Sequence, residues 1–265
     1  MSTHLIADAQ CLVIKIGSAL LVDERGAIRR EWLNSLIYDV VQGWRQNQRI
    51  ILVSSGAIAL GRRHLQFNHR ALQLEEKQAS AAVGQIQLAH AYQECLAEHG
   101  ITVAQVLLTL GDSKNKRRFL NAKNTLETLL TLRAIPVINE NDTVATAEIR
   151  FGDNDRLAAR VAQMVNADTL VLLSDIDGLY TANPQIDSAA QLIPVVKKLT
   201  PEILAMAGDS ATEFGSGGMI TKLAAAKIAL ASGCRMVIAA GRPMHPLARI
   251  DQTEHKTWFI TEASS

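Results

Sequence analysis

Apolar residues in this chain come in short, unbroken, β-branched runs rather than in strict alternation. CLVIKI (11–16), RIILVS (49–54), TVAQVLL (102–108), IPVIN (135–139), TLVLLS (169–174) and RMVIAA (235–240) are bounded by Gly, Asn, Ser or Asp. Continuous apolar strands suit a parallel sheet covered on both faces. Between them lie longer stretches of helical period, among them EEKQASAAVGQIQLAHAYQECLAEHG (75–100) and GMITKLAAAKIALASG (218–233). Strand–helix alternation predicts right-handed βαβ units in a doubly wound α/β sheet. Gly100 and Gly233 stand where helix C-terminal glycines belong. Segment 179–217 holds three prolines, a short helical pattern and a Gly/Ser-rich loop, and reads as an excursion that returns to the sheet. The chain has no internal repeat, and 265 residues suffice for one large α/β domain or two small ones.

Polar residues collect where the strands end. In an open parallel sheet, ligands bind beyond the carboxyl ends of the strands. The first strand runs into KIGS (15–18), the second into SSGA (54–57) and the fourth into NENDTVATAE (139–148). The next reaches SDIDG (174–178) and the last AAGR (239–242), so small residues, acids and amides line one edge. Lys15 interrupts an apolar strand, where a buried ammonium is costly unless it meets an anion. It either snorkels out of an edge strand or contacts phosphate, and the adjoining Gly17 and Ser18, which permit close backbone approach, favour the second reading. Lys222 lies one turn into a predicted helix, behind Gly215, Gly217 and Gly218. A cation there opposes the helix dipole. Either it extends into water, or glycine loop, helix N-terminus and lysine together form a phosphate cradle. Neither GxxxxGK[ST] nor a strand-following GxGxxG is present.

FGDND (151–155) precedes a helix predicted over 156–166. A helix start needs one capping side chain, so Asp153, Asn154 and Asp155 leave two to spare. Those two are free to bind substrate or to hold the lysines by charge pairing. Asn139, Glu140, Asn141 and Asp142 reach the same edge and supply acceptors enough for an ammonium group. Ser55 is either a plain helix cap or part of a turn whose amides and hydroxyls bind an anion. It is no hydrolase nucleophile, since the GxSxG elbow is missing. The seven histidines are scattered, with no HExxH or Cys/His metal spacing.

Composition narrows the class without naming a reaction. Hydrophobic residues make up 48% and charged residues 20%, as in an ordinary globular chain with a real core. A net charge of +1 gives no bulk attraction for nucleic acid, and the basic SKNKRRF (113–119) reads as a solvated helix surface. Cys11, Cys95 and Cys234 are odd in number and lack CxxC spacing; Cys11 and Cys234 flank apolar runs, as buried reduced thiols do. MSTHLIADAQ carries no signal-peptide pattern, and no apolar run reaches bilayer-crossing length. The expectation is a soluble cytoplasmic protein.

VIKIGSALL, LVSSGAIALGRR, VINENDTVATAEIRFGDND, LLSDIDGLYTANP and GSGGMITKLAAAKIA resemble, in order and spacing, the amino acid kinase superfamily. Within it the likeness is greatest to the glutamate 5-kinase branch, over about residues 11 to 242, with NENDTVATAE followed by FGDND the specific mark. The resemblance implies an αβα sandwich around a mostly parallel eight-stranded sheet. It implies a single domain over 1–265, acceptor-binding in its N-terminal part and nucleotide-binding over roughly 166–265. The implied activity is ATP-dependent phosphorylation of the γ-carboxylate of L-glutamate, the first step of proline synthesis, with Mg2+ carried on ATP and no protein side chain as metal ligand. Carried over by motif, Lys15 and Lys222 stabilise the transferring group and Asp155 organises them. Ser55, Gly56, Asp142, Asn154 and nearby Asp153 bind glutamate. Lys15, Gly17, Ser174, Asp175 and the loop Ser216, Gly217, Gly218, Met219, Ile220, Thr221 and Lys222 contact ATP. Family members are usually homo-oligomers and commonly inhibited by proline, and a downstream glutamyl-phosphate reductase is an expected partner. Many bacterial relatives also carry a C-terminal PUA domain resembling RNA-modifying-enzyme modules. The sequence ends with HKTWFITEASS, and a short form without that domain is expected. Two alternatives stand beside this reading. One is a related kinase for aspartate, N-acetylglutamate, carbamate or a nucleoside monophosphate; the other is a non-catalytic amino-acid sensor.

Overall fold

The six apolar runs all form strands in the computed structural model, which describes residues 5–67, 71–144, 154–207 and 218–261. In chain order the strands are β1 (Cys11–Ile16), β2 (Arg49–Ser54), β3 (Val103–Leu108), β4 (Ile135–Glu140), β5 (Thr169–Ser174), β6 (Leu179–Tyr180), β7 (Leu192–Ile193), β8 (Val195–Val196), β9 (Arg235–Ala240) and β10 (Lys256–Phe259). The helices are α1 (Ser18–Leu21), α2 (Arg30–Arg45), α3 (Ala57–His64), α4 (Leu74–Ala97), α5 (Leu110–Lys114), α6 (Lys116–Thr131), α7 (Asn154–Met164), α8 (Pro201–Ala205), α9 (Met219–Ala231) and α10 (Pro246–Gln252). Short 3₁₀ turns cover Ile6–Asp8 and Asp142–Val144.

Eight strands form one sheet in the order β3-β4-β2-β1-β5-β9-β10-β8. The six strands predicted from apolar runs are mutually parallel, and β10 runs antiparallel to β9. The 179–217 excursion contributes the separate β6–β7 ribbon, then rejoins the main sheet through β8.

Each central strand is buried on both faces, and its period-two alternation divides the side chains between two cores. Leu12, Ile14 and Ile16 of β1 face the layer built by α2, α3, α4 and α10, where Trp32, Leu36 and Tyr92 pack. Cys11 and Val13 face the opposite layer of α6, α7 and α9, against Leu126, Leu157 and Ala226. Lys15 is in phase with Cys11 and Val13. Its side chain therefore projects toward α7 and α9, and β1 sits mid-sheet between β2 and β5, so the edge-strand reading of Lys15 falls. All three cysteines are free and buried, and desolvation raises the Cys11 thiol to about 11. Among the described residues no helix is long and apolar enough to cross a membrane.

Two helices fit by omitting side chains. A Cβ on Gly61 of α3 would overlap the Ser80 carbonyl, and one on Gly84 of α4 would overlap the Ala57 carbonyl. That close crossing places α4 behind the β2–α3 turn, which is where the polar edge begins.

Candidate active site

The carboxyl ends of β1, β2, β4 and β5 deliver Lys15, Ser54, Glu140 and Ser174 to one side of the sheet. Above them stand the first turns of α7 and α9. Helix α7 starts at Asn154, two residues before the predicted 156, so Asn154 and Asp155 are its first-turn residues. Asp153 lies outside the described residues, so the capping role weighed for these three side chains is left open at that position.

Asp155 is wholly buried, and its two oxygens are divided between two ammonium groups. Lys15 Nζ lies 2.7 Å from Oδ1, a close ion pair rather than an aligned hydrogen bond. Lys222 Nζ, in the first turn of α9, lies 3.4 Å from Oδ2. Thr221 Oγ1 is 2.8 Å from the same Oδ2 and 2.9 Å from the Gly218 carbonyl, with one proton to give. Lys15 is 7% exposed and Lys222 only 3%, so neither extends into water. Burial pushes the Asp155 pKa up, but Lys15, Lys222 and the Thr221 hydroxyl together outweigh it and hold the carboxyl below the usual carboxylate range. Burial also lowers the Lys222 pKa; Asp155 opposes that shift and Lys15 adds to it. The three charges form one unit, drawn from β1, α7 and α9.

The β2–α3 turn resolves the ambiguity over Ser55. Gly56 caps α3 in the left-handed region, φ +109°, with no side-chain hydrogen bond, so Ser55 is not the cap. Its Oγ instead accepts from Asn154 Nδ2 at 2.7 Å. The same amide nitrogen lies 3.1 Å from the Ser54 carbonyl and 3.1 Å from Asn139 Oδ1. Asp142, in the 3₁₀ turn after β4, has its pKa raised to about 6 by burial, the sole cause. A half-desolvated acid with no compensating cation among the described residues is a place for one to bind.

Of the residues expected to contact ATP, Ser174 donates to Asp175 at 3.0 Å, and Gly17 forms the N-cap of α1. Gly218 caps α9 without a side-chain bond, and its carbonyl accepts from the Thr221 amide at 3.0 Å. Met219 is half-buried and Ile220 is 51% exposed on the same turn. Ser216 and Gly217 fall outside the described residues.

Sequence reasoning missed Gln85. This α4 side chain is 8% exposed and accepts from Asn139 Nδ2 at 2.7 Å. The signal that could have found it was its position: Ala81, Gly84, Gln85 and Leu88 share the buried stripe of α4, where a carboxamide requires a partner. Among the described residues, no group of three or more His, Cys, Asp or Glu side chains is arranged to hold a metal ion.

The family model described as "Amino acid kinase family" matches residues 10–240. The chain belongs to the amino acid kinase family. Curated relatives of this kinase chain include glutamate 5-kinase from Paramagnetospirillum magneticum, 63% identical over 96% of this chain and 69% of the relative. Glutamate 5-kinase from Rhodospirillum rubrum is 59% identical over 94% of this chain and 66% of its own length. The chain thus spans about two thirds of these relatives. Solved structures with the same fold include carbamate kinase from Giardia lamblia bound to AMP-PNP, TM-score 0.66 at 16% identity, covering 97% of this chain and 100% of that one. UMP kinase from Bacillus anthracis gives TM-score 0.65 at 14% identity, covering 96% and 97%. At such identities the likeness establishes the fold alone.

Proposed function

We propose that this amino acid kinase transfers the γ-phosphoryl group of ATP to the γ-carboxylate of L-glutamate, giving L-glutamyl 5-phosphate and ADP. The observation that carries the reading is the pair of buried ammonium groups, Lys15 and Lys222, held on the two oxygens of Asp155. The kinship with glutamate 5-kinases at 63% and 59% identity supports the choice of acceptor.

A glutamate side chain in water titrates near ~4.3 and is ionised at neutral pH. Its oxygen attacks the γ-phosphorus directly, the bond to the bridging oxygen breaks, and ADP leaves with the electron pair. No general base is required. The reaction needs alignment and neutralisation of charge on the transferred group. Two lysines supply positive charge from opposite sides of that group. Asp155 keeps them charged and apart, with Thr221 steadying its second oxygen. Magnesium would sit on the nucleotide phosphates, because Asp155 is already occupied by two lysines and a threonine; when bound it neutralises phosphate charge.

Asp142 and the Asn154 carbonyl, which has no hydrogen-bond partner among the described residues, are both acceptors and take the α-ammonium of glutamate, with Ser55, Gly56 and Asp153 completing the acceptor side. Ser174, Asp175, Gly17 and the loop 216–222 take the nucleotide. This divides one domain into an acceptor-binding N-terminal part and a nucleotide-binding part over roughly 166–265. A homo-oligomeric cytoplasmic enzyme, inhibited by proline and feeding a glutamyl-phosphate reductase, completes the reading; its support is family likeness and the lability of an acyl phosphate.

The test traps the acyl phosphate with hydroxylamine while ATP, magnesium and a panel of acceptors are supplied. Glutamate is expected to give hydroxamate; aspartate and N-acetylglutamate are not. UMP is expected to release no ADP. Hydroxamate from aspartate with none from glutamate overturns the assignment.

A further inference from the structure

Behind the acceptor side runs a line of carboxamides whose polarity is fixed by the backbone. The Glu140 N–H donates to Asn139 Oδ1 at 2.9 Å. A backbone N–H only donates, so that Asn139 atom is the oxygen and the other is Nδ2. Asn139 Nδ2 in turn donates to Gln85 Oε1 at 2.7 Å. At the other end, the Ser54 carbonyl only accepts, so the Asn154 atom 3.1 Å from it is Nδ2. Its two protons are shared among Ser54 O, Ser55 Oγ and Asn139 Oδ1. Asn154 Oδ1 must then point away from all three, and it is buried without a hydrogen-bond partner among the described residues.

We infer that Gln85 is a positioning residue for acceptor recognition, holding Asn139 so that the Asn154 carbonyl oxygen is the group offered to the ammonium of an amino-acid substrate. An ammonium has only donors and a carbonyl oxygen only accepts, so the two match. Gln85 Oε1 is the acceptor described for the Asn139 amide nitrogen, at a residue only 2% exposed. Without it, that buried NH2 must turn toward another acceptor and carry Oδ1 away from Asn154. Asn154 Nδ2 then keeps Ser54 O and Ser55 Oγ but loses its third acceptor, so the carbonyl oxygen is held less firmly toward the ammonium. This inference rests on the glutamate kinase reading above and adds a residue that no matched motif contained.

The test compares Gln85→Leu, which removes the acceptor, with Gln85→Glu, which keeps an oxygen facing Asn139. Wild-type turnover of glutamate is measured first; its absence would sink the kinase reading itself. Given wild-type turnover, Gln85→Leu is expected to raise KM for glutamate by about tenfold, with KM for ATP within about twofold. Inhibition by glutarate, which lacks the ammonium, should be unchanged in Gln85→Leu. Gln85→Glu should restore KM for glutamate to within about threefold of wild type. The relay is refuted by an unmoved KM for glutamate in Gln85→Leu, by equal losses for glutamate and ATP, or by glutarate weakening as much as glutamate. If Gln85→Leu does not fold, a Gln85→Glu enzyme that has lost glutamate affinity refutes it equally.

Discussion

Replacing Asp155 by Asn removes one negative charge and almost no volume. The carboxylate is wholly buried, 2.7 Å from Lys15 Nζ and 3.4 Å from Lys222 Nζ. At an effective dielectric constant of about 20, unit charges at those separations attract by roughly 6 and 5 kcal/mol. Desolvation of the three ions offsets much of that. Removing one member of a buried ionic group still costs about 3–5 kcal/mol, because the remaining charges lose their compensation. In Asp155→Asn two ammonium groups face a neutral amide. Lys222 yields first, since burial already lowers its pKa and Asp155 is the largest influence opposing that. Two assays follow. Urea unfolding should show a loss of about 3–5 kcal/mol, and hydroxamate formation at neutral pH should show kcat down by about a hundred- to a thousandfold. The third signature is directional. With the carboxylate gone, Lys222 deprotonates at lower pH, so any turnover left should fade on the alkaline side earlier than in wild type. Turnover within about threefold of wild type, with the alkaline limb unmoved, would refute the idea that Asp155 keeps the two lysines charged and apart.

Other expectations are briefer. Lys222→Ala should lower kcat by about a hundredfold or more and change glutamate KM only a few-fold; comparable losses in both would place Lys222 in ground-state binding. Asp142 has a folded pKa of about 6 against an ordinary value of 3.8, so the free protein holds this carboxyl neutral in between. Its ionisation costs stability as pH rises through that window, whereas a bound ammonium favours the ionised form. Glutamate KM should therefore climb as pH falls below 6, approaching about tenfold per pH unit, and Asp142→Asn should flatten the profile. Gly84→Ala should cost more than about 3 kcal/mol in thermal or urea unfolding, because the new Cβ overlaps the Ala57 carbonyl and forces α3 from α4. A variant that unfolds like wild type would show that crossing to be adjustable.

The strands were legible because burial on both faces demands continuous apolar runs, and all six appear where those runs lie, four of them with both ends matching. Lys15 was legible as an anomaly for the same reason: one cation in an otherwise apolar strand must meet an anion. Gly100 and Gly233, at φ +70° and +77°, were legible as helix ends because their backbone conformation belongs to glycine. The last strand of the sheet, β10, was not, since KTWF is short and its pairing with β9 depends on α10 turning the chain back. The partner of the two lysines depended on tertiary structure most of all. Asp155 is separated from Lys15 by 140 positions and from Lys222 by 67, so local pattern could nominate an aspartate of FGDND but not aim it. Only the sheet order, which places β1 beside β5 and beneath α7 and α9, brings the three charges within reach of one another. Gln85 marks the same boundary: its chemistry is plain in the sequence, while its meaning comes from α4 being pressed, through Gly61 and Gly84, against the turn that carries Ser55.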